Sequence, residues 1–117
     1  MNNSTLFILN DAPYGNERAY NALRLAAALA GLEGQQVRMF LMADAVTCAK
    51  AGQKVPEGYY SIQLMLGKII RKGEVALCGT CMDARGITQA EMVEGANRST
   101  LAQLASWTAE AAKVIVF

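Results

Sequence analysis

The 117-residue chain has no histidine. That absence removes Ser-His and Cys-His catalysis, imidazole general bases and His-containing metal sites. Any chemistry falls to Cys, Asp, Glu, Lys, Arg, Tyr or backbone amides. No apolar run approaches the ~20 residues that cross a bilayer. No basic run stands out either, and the net charge is +1, so nucleic acid and anionic membranes are not expected partners. The N-terminal MNNSTLFILND has no basic region and too short an apolar part for a signal peptide. The expected location is the cytoplasm, where thiols rest reduced. The cysteine count of three is odd, which also argues against a structural disulfide framework.

What is abundant is apolar. Hydrophobic residues make up 53% of the chain and the mean hydropathy is +0.18. This is rich for a small soluble monomer and predicts a buried subunit interface, although alanine inflates such counts. The length suits one domain, residues 1–117, with neither repeats nor a linker.

Apolar patterning orders the elements. Thr5 to Leu9 reads as a buried first strand that ends in the turn-rich Asn10 to Gly15. Asn16 is the expected cap of a helix over Ala19–Ala30 that Gly31 stops. Val37 to Met42 reads as the second strand and Ala45 to Ala51 as a short helix ended by Gly52. Ile62, Met65, Leu66, Ile69 and Ile70 recur at helical spacing, which predicts a helix over Ser61–Lys72 closed by Gly73. Val75–Leu77 is the third strand. Thr88-x-x-Glu91 and Thr100-x-x-Gln103 fit the capping box and predict helices near Gln89–Val93 and Leu101–Ala111. A fourth strand has to fit around Glu94–Arg98, where the sequence is poor for one; Val114 to Phe117 is the last strand. Alternating strands and helices imply a doubly wound, mostly parallel α/β sheet covered on both faces. With the flavodoxin-like strand order 2-1-3-4-5, the ligand crevice lies between strands one and three. The loops there are Asp11–Asn16 and Cys78–Gly86.

The second of these loops holds the one motif with chemical content, Cys78-Gly-Thr-Cys81. A thioredoxin-like dithiol has this spacing, but that fold sets a cis-proline downstream of the motif, and Pro13 and Pro56 both precede it. A closed zinc site needs four ligands, and this pair plus the distant Cys48 does not supply them. Asn10–Gly15 lacks the glycines and lysine of a phosphate loop. Two readings remain. Free cysteines often pack as small hydrophobes. Alternatively, an accessible, low-pKa thiol with a neighbouring thiol carries sulfur as a persulfide, a transfer that needs no histidine. Arg85 would supply positive charge if the loop folds back.

The ordered set APYG (12–15), NxLRLA (21–26), RxFLMxDAVT (38–47), GQK (52–54), EGY (57–59), LCxTCxDxRGI (77–87), TLxxLA (100–105) and Trp107-Thr108 resembles the DsrE/DsrF-like family over nearly the whole chain, closest to its small YchN-like branch. The resemblance implies a flavodoxin-like subunit with a five-stranded parallel sheet and a homo-oligomer, with a hexamer made of two trimers as its expected form. It implies Cys78 as the sulfur-carrying nucleophile, with Cys81 matching the second cysteine of the branch. Asp11, Tyr14, Lys68 and Arg85 are candidates for lining the pocket; a solvated role, or packing for Tyr14, is the alternative for each. Cys48 is an extra thiol expected to pack, and Met39, Met42, Met65 and Met82 read as core or interface filler. No organic cofactor or metal is required, and the expected partners are a sulfur donor protein and an acceptor protein. The alternative function is a non-catalytic oligomeric module that binds a small ligand or supports assembly.

Overall fold

A computed structural model describes residues 2–117. Its centre is a five-stranded, wholly parallel sheet: β1 (Ser4–Leu9), β2 (Gln36–Leu41), β3 (Glu74–Cys78), β4 (Ala96–Ser99) and β5 (Lys113–Val116). The helices are α1 (Arg18–Ala30), α2 (Ile62–Lys72), α3 (Gly79–Ala84) and α4 (Leu101–Glu110), with 3-10 segments at Ala43–Ala49 and Gln89–Glu91. The doubly wound α/β class is as expected.

The strand order is not. It is β4-β3-β2-β1-β5, so β1 lies between β2 and β5, and β3 pairs with the outer side of β2. The reason lies in the crossovers. α1, α2 and α3 all put apolar residues (Leu23, Leu66, Met82) into one core with Phe7, Met39 and Leu77. Successive right-handed crossovers on one face carry the chain in one direction across the sheet. Only α4 crosses on the opposite face, where Leu104 and Trp107 cover Leu6, Phe40 and Ala76. That crossover returns the chain to the free side of β1.

Local chemistry fixes the element ends. Asn16 Oδ1 accepts the Arg18 N–H, but Glu17 holds the N-cap position, so the expected cap acts two residues ahead of α1. Ser61 is the cap of α2 rather than its first residue, its hydroxyl accepting the Leu64 N–H. The helix expected at Ala45–Ala51 is a 3-10 segment that begins at Ala43. β4 has only four residues, with Asn97 and Arg98 exposed, because it is an edge strand. Gly73 has an extended backbone, φ −144°, and its role is space: a Cβ there would collide with the Val37 carbonyl oxygen of β2.

Among the described residues no helix is long and apolar enough to cross a membrane. The α4 face is incompletely covered. Val114 and Val116 on β5 are 41% and 62% exposed, and register places them beside Leu6 and Ile8 on that face.

Candidate functional site

The strand order moves the crevice. Two neighbouring strands whose outgoing connections take opposite faces leave a gap beyond their carboxyl ends. Here those strands are β3, which leaves toward α3, and β4, which leaves toward α4. Cys78 is the last residue of β3 and pairs in register with Ser99, the last of β4. The cysteine motif therefore sits at the switch point, although between different strands from those expected. The Asp11–Asn16 loop follows β1, two strands away from β3.

The motif is not a loop but a strand end and the first turn of a short helix. Cys78 caps α3: its Sγ accepts the Cys81 N–H at 3.4 Å. Cys81 Sγ in turn accepts the Ala43 N–H at 3.1 Å, from the segment that follows β2. Ala43 has φ +51° and, among the described residues, is the one non-glycine in the left-handed region. That conformation costs roughly 1–2 kcal/mol, and it aims the amide at the sulfur. Both thiols are half-buried.

Burial pushes the Cys78 thiol above its ordinary value, and its hydrogen bond with the Cys81 side chain adds to this. The amides of Cys81 and Thr80 act the other way without prevailing. The low-pKa thiolate expected for Cys78 is thus not what the geometry gives. Cys48 is fully buried in the core, its Sγ donating to the Asp11 carbonyl oxygen at 3.6 Å. Burial, with the Asp11 charge second, pushes its pKa up to about 12, as suits a packing residue.

The other candidates divide. Arg85 does not turn toward Cys78. Its Nε and Nη2 grip Asp44 Oδ1 at 3.1 and 2.9 Å, and its Nη1 donates to the Cys81 carbonyl oxygen at 3.1 Å. It clamps α3 onto the segment that carries the Ala43 amide. Asp11 pairs with Arg18 at 2.8 Å. Tyr14 is a staple: its hydroxyl accepts the Ile62 N–H at 3.0 Å and donates to the Tyr60 carbonyl oxygen at 3.2 Å. It also lines a cleft of about 450 Å³ with Gln53, Lys54, Val55, Pro56 and Tyr59, away from the thiols. Lys68 is exposed on α2, and no hydrogen bond or ion pair among the described residues links it to the cysteines. Met39 and Met82 are fully buried in the larger core, with Met65 packed at its margin and Met42 against the smaller cluster.

Two residues of the site had no sequence signal. Ala43 is one alanine among many, and only its backbone contributes. Arg98 is a lone cation in a weak strand, yet it lies over the motif: a Cβ on Gly79 would stand 2.8 Å from Arg98 Nε. No group of three or more Cys, Asp or Glu among the described residues is arranged to hold a metal ion.

Residues 3–117 match the DsrE/DsrF-like family. Protein YchN of Escherichia coli K12 is 46% identical over 114 residues, which is 96% of this chain and 97% of that one. An uncharacterised protein of Methanopyrus kandleri is 39% identical over 94% of this chain and 90% of its own length. Among solved structures, the crystal structure of E. coli YchN superposes with TM-score 0.92 at 45% identity, covering 97% of this chain and 98% of the other. A protein of unknown function from Methanobacterium thermoautotrophicum shares the fold at 13% identity, with TM-score 0.74 over 97% of this chain and 98% of its own. The match spans both cysteines, the strand that ends in Cys78 and the helix that begins there, and on that footing the chain belongs to the DsrE/DsrF-like family.

Proposed function

We propose that this protein carries sulfur as a persulfide on Cys78 in a relay between a donor and an acceptor protein of the cytoplasm. The observation that carries the reading is the pair of half-buried thiols, hydrogen-bonded at one point where two strand ends diverge. Loading is thiol–persulfide exchange. The Cys78 thiolate attacks the outer sulfur of a donor persulfide, the donor S–S bond breaks, and the donor leaves as a thiolate. Unloading is the same step, with an acceptor thiolate attacking the outer sulfur on Cys78. No oxidant and no imidazole is involved. Cys81 is the neighbouring thiol, oriented by Ala43 and, through the Arg85 clamp, by Asp44.

The raised pKa of Cys78 means that the resting sulfur is protonated at neutral pH and reacts through a small thiolate fraction. A perthiol is more acidic than its parent thiol, so the loaded form ionises more readily than the empty one. Self-association through the exposed Val114 and Val116 face belongs to the same proposal, with a homohexamer as the expected form.

Intact mass spectrometry after exposure to a persulfide donor tests the reading, with and without dithiothreitol. A reducible adduct of about +32 Da, absent from Cys78→Ser and retained in Cys81→Ser, is the expected result; sulfinic acid has the same mass but resists reductant. The second reading is a non-catalytic oligomeric binding module. The raised Cys78 thiol and the uncovered valines favour it. Absence of any adduct, with both thiols slow to alkylate, selects it.

A further inference from the structure

We propose that Arg98 is a positioning residue for Cys78, its guanidinium laid across the bare backbone of Gly79 and held by Asp83 so that its charge favours the ionised sulfur. This rests on Cys78 being the reacting thiol. Three features build the arrangement. Gly79 lacks the side chain that would occupy the same space: a Cβ there would lie 2.8 Å from Arg98 Nε, 2.9 Å from Cζ and 3.0 Å from the Ser99 carbonyl oxygen. Asp83, one turn along α3, takes the guanidinium as a fork, with Nη1 to Oδ1 and Nη2 to Oδ2 both 2.7 Å. Gln89 fixes the strand beneath, accepting the Arg98 N–H at 2.6 Å and donating to the Ala96 carbonyl oxygen at 2.9 Å.

The consequence is electrostatic. The charge of a Cys78 thiolate is among the causes that raise the Arg98 pKa, after its hydrogen bond with Asp83. An attraction acts on both partners, so the guanidinium favours the thiolate in return. Burial and the Cys81 side chain dominate at Cys78 and keep its thiol raised. The groups around Cys78 are Cys81 and Asp83 on α3, Arg98 on β4, and the Arg85–Asp44 pair at the far end of α3. Asp83 opposes Arg98 in charge and cancels part of the guanidinium field, while an Asn in its place keeps one oxygen that accepts from the guanidinium and holds it.

That opposition gives the test. Arg98→Gln and Asp83→Asn break the same ion pair, so a merely structural salt bridge moves Cys78 reactivity in one direction in both. The electrostatic role moves it in opposite directions. The assay is the iodoacetamide alkylation rate of Cys78, resolved by peptide mass spectrometry across pH 6.5–10.5. The expected results are a slowing of roughly three- to tenfold at neutral pH in Arg98→Gln, through a higher apparent pKa, recovery in Arg98→Lys, and acceleration in Asp83→Asn. Arg98→Lys against Asp83→Asn decides the matter if Arg98→Gln does not fold. Same-direction shifts in Arg98→Gln and Asp83→Asn, or Arg98→Lys matching Arg98→Gln, overturn the proposal. Persulfide loading of the unmodified protein is measured alongside. Its failure overturns the sulfur-carrier reading and leaves the alkylation pattern to decide Arg98 separately.

Discussion

Trp107 is the residue on which one face of the sheet depends. Only α4 crosses that face, and its buried residues are Leu104 and Trp107, each 8% exposed. The indole meets the Phe40 ring edge-on, with centroids 6.3 Å apart, and carries the Arg38 guanidinium 5.3 Å above it. Arg38 is itself held by Glu74 and Glu110, each at 2.7 Å. Trp107→Ala therefore removes three contributions. A truncated core Trp costs about 3–5 kcal/mol, the aromatic pair about 0.5–1.5 kcal/mol and the cation–π contact about 0.5–1 kcal/mol. These overlap, since the same atoms supply the burial, and the expected loss is about 4–5 kcal/mol. Set against the ~5–15 kcal/mol that holds a typical domain, this is a large fraction. The assay is urea unfolding followed by circular dichroism at fixed protein concentration, because the variant has lost the chain's one tryptophan. A loss under about 2 kcal/mol refutes the reasoning.

Gly73→Ala destabilises by about 2 kcal/mol or more, measured the same way, because its Cβ meets Val37 backbone that cannot move aside; unchanged stability would mean that β2 and α2 can separate at no cost. Cys48 stays protonated in the fold up to about pH 12, while its unfolded thiol ionises near pH 8.5. The unfolded state therefore binds fewer protons between these values, and stability falls as pH rises through the window, by up to about 1.4 kcal/mol per unit; Cys48→Ala flattens that slope, and identical slopes would count against the burial of this thiol. Ala43→Gly keeps the amide on Cys81 and relieves the left-handed alanine, so stability shifts by under about 1 kcal/mol. Ala43→Val destabilises and speeds alkylation of Cys81, and equal behaviour of the two variants would show that the Ala43 backbone does not hold the thiol.

The sequence reveals elements better than it reveals their neighbours. The run at Thr5–Leu9 and the 3.6-residue spacing of Ile62, Leu66 and Ile69 record burial directly, so β1 and α2 were legible. Strand order is set by which face each crossover takes, and no local pattern encodes that choice. β4 was faint because an edge strand with Asn97 and Arg98 in solvent has half an apolar face to display. The cysteine spacing marked the site, since β3 ends where the motif begins. The pKa direction was not legible: it depends on how far packing against both cores removes Cys78 from water. The partners of the thiols were hidden for a related reason. Ala43 acts through its amide, and Arg98 arrives from 20 residues downstream of Cys78 by strand pairing.

The charges around the thiols constrain what can approach them. Each nearby cation already has a carboxylate, Arg85 with Asp44 and Arg98 with Asp83, and the chain as a whole carries only +1. A charged molecule of either sign is therefore not drawn toward the thiols by a strong field. The uncovered Val114 and Val116 lie on β5, three strands away from β3, so they do not border the thiols. The proposed thiol–persulfide exchange fits such a neutral setting, because a thiolate enters and a thiolate leaves. The demand on the protein is then to hold two sulfurs in place and keep a third, Cys48, out of reach. The backbone amides of Ala43 and Cys81 meet the first demand, and the burial of Cys48 in the core meets the second.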